Sequence, residues 1–336
     1  MLWRRLKMTE QNSIDIVLPW VDGDDPVLNA RRMSYMNNGA EAKHEDVAGS
    51  SRYKSLGEIQ YCIASINMFA PFVRKIFLVT DGQDPHLEEY LNKMFPNGHI
   101  PIEIIDHKVI FQGYEQYLPV FNSRAIETLI WRIPGLSERF ILMNDDFLFI
   151  RKTTERDFFR GDKTICYGDW FFTPWAKFLR WIKPRKKGHK TVGFKDSMLN
   201  AIRLIGDPKM FLCLGHTPRA LRRSFYENFY KDNDEALIRN ISHKFRHESQ
   251  FNSQELFYMS EHAEGRVIQI PVRSRCIYVK AKKNLSYIDW KIGRLQHNRK
   301  RTFCCINALN LAPEAGQKKV LEWAENMLHQ NLEKPL

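Results

Sequence analysis

The sequence predicts an α/β protein: a mostly parallel sheet flanked by helices, with a more helical C-terminal half. Three observations predict it. Short apolar runs rich in β-branched residues alternate with segments of helical apolar spacing across the first half. Most of these runs are cut off by Asp, Asn or Gly, which gathers polar loops at the carboxyl ends of the strands. Strands that alternate with helices favour parallel pairing, with the connecting helices covering both faces.

The elements follow in order. Ser13 to Trp20 (SIDIVLPW) reads as a buried strand, ended by the loop Asp22 to Pro26 (DGDDP). Leu56 to Phe69 has helical spacing and stops before Pro71. Lys75 to Thr80 (KIFLVT) is a second strand, stopped by Asp81-Gly82, and Ile102 to Ile105 a weaker third. Asn122 to Arg132 predicts a helix, capped by Asn122 or Ser123. Phe140 to Met143 is a fourth strand with Asn144-Asp145-Asp146 at its end. Parallel α/β sheets bind ligands beyond the carboxyl ends of their strands, where DGDDP, TDGQ and NDD all fall.

Further along, Trp170 to Lys190 interleaves bulky aromatics with Lys177, Arg180, Lys183, Arg185, Lys186 and Lys187. From Trp175 to Ile182 the apolar residues share one helical face. That pattern suits a membrane interface carrying anionic lipid, or an ordinary amphipathic surface helix. Ser197 to Ile205 and Arg219 to Tyr230 have helical patterns, Val267 to Val279 reads as a strand with Pro271 at an edge, and Pro313 to Leu332 is a terminal amphipathic helix. The organisation expected is a ligand-binding sheet part over 1–160 and a helical or mixed part over 161–336 that completes the site, with the aromatic-basic insertion at 170–190. One continuous catalytic domain fits equally.

The 336 residues, 43% hydrophobic and 27% charged, suffice for a packed core. The net charge of +12 suits anionic partners such as nucleotide-sugars or acidic lipid. No nucleic-acid motif accompanies it, so nucleic acid is not an expected partner. The six cysteines are scattered without a CxxC pair, which argues against structural zinc and for buried thiols in a cytoplasmic protein. No secretory signal and no spanning apolar run of about 18 residues is evident.

Several residue patterns suit chemistry. Adjacent Asp145 and Asp146 at a strand end are expected to point to opposite sides, one binding Mg²⁺ in the cleft and the other anchoring the loop; a solvated turn is the bland reading. Asp15 is a charge inside an apolar strand, either cleft-facing, an anchor for the loop, or turned to water. Trp20 ends that strand and either stacks on a base or closes the core. His216, in LGHTPRALRR, precedes Pro218, which is expected to open a helix; a histidine beside helix N–H groups suits a general base near phosphate, and equally a cap. Arg246, in HKFRHESQF, is one arginine among many on these grounds.

Together these pieces resemble the Stealth family, which includes bacterial capsular polysaccharide phosphotransferases and the animal GlcNAc-1-phosphotransferase. Ile14 to Pro26 is similar to its first conserved region and Arg52 to Gln83 to its second. Phe121 to Phe149 with Leu214 to Pro218 resembles the third, and His243 to Phe257 with Phe303 to Asn307 (FCCIN) the fourth. The resemblance implies a nucleotide-sugar transferase sheet of the GT-A-like kind. It implies that Asp15 and Trp20 shape the donor pocket, that Arg52 meets phosphate or stabilises the second region, and that Asn122, Ser123 and Asn144 line the donor site. Asp145 and Asp146 would hold Mg²⁺ or Mn²⁺, His216 would be the base, and Arg246 would neutralise phosphate charge. FNSR stands where the animal pattern has paired serines, and FCCIN lacks the Asp that often follows its Asn, so FCCIN is not counted in the site.

The implied reaction moves a hexose or N-acetylhexosamine 1-phosphate from a UDP-sugar to a hydroxyl of an oligosaccharide or polysaccharide acceptor, releasing UMP, in bacterial surface polysaccharide synthesis at the inner face of the plasma membrane. A glycosyltransferase releasing UDP is the alternative enzyme; a non-catalytic lectin-like or nucleic-acid-binding protein is the alternative of another class.

Overall fold

The computed structural model of the chain describes residues 13–38, 56–182 and 193–332. Four strands come first: β1 (Ile14–Pro19), β2 (Val73–Thr80), β3 (Ile102–Asp106) and β4 (Arg139–Leu142). They are parallel, in spatial order β3-β2-β1-β4. Period-2 alternation sorts their side chains onto two faces. Ile14, Ile16, Leu18, Ile76, Leu78 and Ile141 join one core cluster, together with Ile59, Cys62, Ile63 and Ile66 of the helix Glu58–Phe69. Val17, Phe77, Val79, Phe140 and Leu142 join the other, with Ala125, Ile126 and Leu129 of the helix Ser123–Leu129. Both faces are therefore buried, which is why these strands read as continuous apolar runs. Each large side chain so buried contributes about 1.5–3 kcal/mol.

The chain then turns through Asn144–Asp146 into β5 (Phe147–Phe149), β6 (Phe159–Arg160) and the long β7 (Lys163–Phe172), which pairs antiparallel with β8 (Met210–Leu214). β9 (Arg219–Arg222) returns to the first sheet and pairs antiparallel with β4. β10 (Val267–Ile270) runs parallel to β7; β11 (Cys276–Lys280) pairs parallel with β12 (Phe303–Asn307), which pairs antiparallel with β5.

The α/β architecture is the one expected, and the second half carries most of the long helices, the last being Glu314–Leu332. The break near residue 160 is not a boundary between bodies. β9 completes the sheet of β1–β4 and β12 clamps β5, so the two parts share two sheets. Two local expectations fail. Residues 219–222 form β9 before the helix Arg223–Lys231 begins, because Ala220 and Leu221 are needed in the core on either side of the sheet. Val267 to Val279 is two strands in two sheets, and Pro271 divides them by opening the short helix Val272–Arg275.

Candidate active site

The loops at the carboxyl ends of β1 and β2 are locked together. Gln83 accepts from Asp22 N–H at 2.9 Å, and its Nε2 donates to the Asp22 carbonyl at 3.1 Å and to Asp25 Oδ2 at 2.8 Å. That bond, the largest influence, and two backbone donors hold Asp25 below the ordinary carboxylate range. Arg31, on the helix Pro26–Asn38, is ion-paired with Asp81. DGDDP and TDGQ thus form a single rigid rim.

Beside it lies the acidic pair. Asp145 and Asp146 sit in a turn closed by Phe147 N–H donating to the Asn144 carbonyl at 3.1 Å. Both residues are among those lining one small cavity, with Glu58, Tyr61 and residues of the helix Glu314–Leu332. Burial, then Asp146, then Glu58 push Asp145 up to about 7. Burial and Glu58 push Asp146 up to about 6, against hydrogen bonds from Cys305 and Asn307 that favour its ionised form. The Cys305 thiol lies 3.5 Å from Asp146 Oδ2, while Asp146 Oδ1 is buried without a hydrogen-bond partner among the described residues. Asn144 is half-buried, its carbonyl also facing the Cys62 thiol at 3.7 Å.

A short relay leads from this pair to His216. Asn307, already bonded to Asp146, accepts from the Tyr278 hydroxyl at 3.0 Å, and the Tyr278 ring stacks on the His216 imidazole at 4.8 Å. His216 is exposed as a residue, and the Phe194 ring also stacks near it at 6.1 Å. Desolvation by these rings, and then the Arg219 guanidinium, lower its pKa below the ordinary histidine range, which keeps the ring neutral and able to accept a proton. It stands in a bend between β8 and β9, not at a helix amino end: the segment after Pro218 is strand, so the expected helix N–H groups are not beside it.

The third contributor is a clasp. Asn122 caps the helix Ser123–Leu129 through Arg124 N–H, and its own amide donates to the Phe245 carbonyl at 2.9 Å and Gln250 Oε1 at 2.8 Å. Phe121 stacks on Phe245 at 5.4 Å, with Leu28 packed against both. This holds Arg246, in a loop and not on a helix, with its Nη2 donating to Ser123 Oγ at 3.2 Å. Ser123 and Arg246, 123 residues apart, are therefore neighbours. Asn122 spends its polar atoms inside the clasp and positions that pair instead of lining a pocket. On the same helix, Arg124 reaches the Gly193 carbonyl at 3.3 Å, at the start of the helix Phe194–Arg203 whose first ring flanks His216.

The remaining expectations fare differently. Asp15 is fully buried at the amino end of β1, opposite the loops just described; Arg74 grips it with two hydrogen bonds of 2.8 and 2.6 Å and Ser137 N–H adds a third at 2.7 Å. It neither faces water nor reaches the carboxyl-end loops; it ties β1 to β2 and to the turn before β4. Trp20 packs against the core, with its backbone N–H held by Val79. Arg52 lies outside the described residues.

Asn307, Tyr278, Cys305 and Glu58 were missed. The FCCIN segment, not counted in the site on sequence grounds, forms β12 and carries Cys305 and Asn307 to Asp146. The only sequence signal was the FCCIN match itself, since the pairing of β12 with β5 joins residues about 160 apart and leaves no local trace.

The α/β sheet thus carries carboxylates, a neutral histidine and an arginine among the loops at one end. The comparisons give the family. "Stealth protein CR1, conserved region 1" matches residues 12–40, and "Stealth protein CR2, conserved region 2" matches 52–167. The chain belongs to the Stealth family. Similar proteins include exopolysaccharide phosphotransferase SCO6023 of Streptomyces coelicolor, 30% identical over 88% of this chain and 47% of that one. Capsular polysaccharide phosphotransferase cps1A of Actinobacillus pleuropneumoniae is 28% identical over 72% of this chain and 63% of its own. Capsular polysaccharide phosphotransferase LcbA of Aeromonas hydrophila is 29% identical over 89% and 81%. The chain thus spans about half the length of SCO6023. Among solved structures, the galactosyltransferase LgtC in complex with donor and acceptor sugar analogues aligns with a TM-score of 0.46 at 12% identity, over 93% of this chain and 95% of that one.

Proposed function

We propose that this protein transfers a sugar 1-phosphate from a UDP-sugar to a hydroxyl of a glycan acceptor, forming a phosphodiester and releasing UMP, in the synthesis of a bacterial surface polysaccharide. The observation that carries the reading is the gathering of the Stealth segments' polar residues at one end of the sheet, in a chain whose relatives are named polysaccharide phosphotransferases. The acceptor oxygen would attack the phosphorus that bears the sugar. The bond from that phosphorus to the bridging oxygen would break, with UMP leaving and the hydroxyl proton passing to His216. Such a transfer needs alignment and charge neutralisation more than covalent help from the protein. Arg246, steadied by Ser123, would offset charge on the transferred phosphate.

The family resemblance also implies a divalent cation, Mg²⁺ or Mn²⁺. The residues fit one. Asp146 Oδ1 is a buried oxygen without a hydrogen-bond partner among the described residues, and Asp145 and Glu58 crowd it with like charge. Asp145 and Asp146 would hold the ion; among the described residues no three His, Cys, Asp or Glu side chains form a ready cage. When bound, it would neutralise the diphosphate. The chain would work at the inner face of the plasma membrane; among the described residues no helix is long and apolar enough to cross it.

The test is product analysis. Purified protein, Mg²⁺, a panel of UDP-sugars and a short acceptor should yield acceptor-dependent UMP. Release of UDP instead would replace this reading with glycosyl transfer.

A further inference from the structure

One surface that the proposed reaction does not use is aromatic. β7 ends in Trp170 and Phe172 and runs straight into the helix Thr173–Ile182. There Trp175, Phe178 and Trp181 recur at every third residue, exposed by 53%, 44% and 81%. Their rings stack on one another, at 5.4 Å and 6.1 Å between successive centroids, while Ala176 turns inward to the core. The helix is held firmly in this pose. Thr173 N–H donates to the Lys209 carbonyl at 2.9 Å, its hydroxyl to the Pro208 carbonyl at 2.6 Å, and Lys177 is ion-paired with Asp207. A row of three accessible aromatics on an anchored helix is an interaction face, not a packing remainder.

We propose that this helix face docks the protein on an anionic lipid surface, the rings entering the acyl boundary. This sharpens the membrane part of the proposed function and rests on that reading for its biological sense, though not for its test. Two observations favour lipid over the other occupants. The helix TPWAKFLRWI contains cations and no carboxylate or amide, so it offers an anionic layer charge complementarity and offers a glycan no acidic or amide acceptor for its hydroxyls. Exposed Lys195 and Lys209, on the elements that flank it, add positive charge, matching an anionic headgroup layer and opposing a second copy of the same surface.

The full chain would be sedimented with phosphatidylcholine vesicles, with and without phosphatidylglycerol, beside the variant Trp175→Ala/Phe178→Ala/Trp181→Ala. The wild type should bind the phosphatidylglycerol vesicles preferentially, with Trp emission shifting to the blue. The variant should bind at least about tenfold less, with unchanged thermal midpoint and unchanged nucleotide release on a soluble acceptor. Wild-type protein that stays in the supernatant, or a variant that binds as well, overturns the proposal. So does a wild-type dimer that the variant converts to monomer without any vesicle binding, which would assign the face to a second copy. No nucleotide enters the vesicle assay, so this proposal and the transferase reading can fail separately.

Discussion

The two ends of the central sheet treat the same residue type in opposite ways. At the amino end, Asp15 is fully buried and fully paired: Arg74 supplies two donors and Ser137 a third. At the carboxyl end, Asp145 and Asp146 share a cavity with Glu58, repel one another, and leave one buried oxygen without a hydrogen-bond partner among the described residues. A satisfied charge stabilises a fold. A cluster of strained carboxylates costs stability and persists where an external ligand relieves it. The contrast separates the paired carboxylate from the ones proposed to act more cleanly than burial alone does.

The largest expected effect tests the functional end. Asp146→Asn should lower the transfer rate at least about 100-fold, while the thermal midpoint stays the same or rises, because a repelling charge is gone. A variant that turns over normally would remove Asp146 from the chemistry. The opposite signature belongs to Asp15→Ala. It strands Arg74, half in solvent, and leaves Ser137 N–H unmet, so unfolding free energy should fall by about 2–4 kcal/mol. The rate per folded molecule should hold. Denaturant titration and active-site-normalised kinetics would together show whether the two ends differ as argued.

His216 extends the functional end across the Tyr278–Asn307 relay. His216→Ala should cost about 100-fold in rate. In the wild type, burial beside the aromatic rings and the Arg219 charge lower the imidazole pKa from 6.5 toward about 4. The neutral base therefore predominates above that range, and the acid limb of the pH–rate profile should fall below pH 6.5. A limb at or above 6.5 would count against His216 as the base. Asn307→Ala should be milder, about tenfold in rate, since the partners Asn307 shows are Asp146 and Tyr278 and it would act through them. It acts through its neighbours, so the loss should appear in kcat with little change in KM, and Asn307→Ala should also shift the acid limb through the freed Tyr278 ring.

Much of this frame was legible in the sequence. β1, β2 and β4 are continuous apolar runs because both faces are covered, and their terminal Asp, Asn and Gly residues mark the ligand end. Asp145, Asp146, His216 and Arg246 could be named from motif matches. Their company could not. Asn307 reaches Asp146 through the β5–β12 pairing, and Ser123 meets Arg246 through the Asn122 clasp, both long-range events without local periodicity. Asp15 was misplaced for a related reason. An acidic residue inside a strand has the same sequence signature at either end of a sheet, and only the partner, Arg74, decides between anchor and ligand.

One carboxyl fits neither end. Glu255, on the helix Ser253–Ala263, is fully buried and both of its oxygens are without hydrogen-bond partners among the described residues. Burial pushes its pKa well above the ordinary glutamate range, only partly offset by Arg219. A raised folded pKa means the native state keeps a proton that the unfolded chain gives up. The resulting penalty is absent below the unfolded pKa, near 4.5, and grows as pH rises above it. Glu255→Gln keeps the shape and removes the ionisation, so it should stabilise the fold by about 1 kcal/mol at neutral pH and by nothing at pH 4. A gain at neutral pH would place Glu255 beside Asp145 and Asp146 as a carboxyl that costs stability. A loss would mean that its charge is used, and would move it to the side of Asp15, as the partner that fixes Arg219 beside His216.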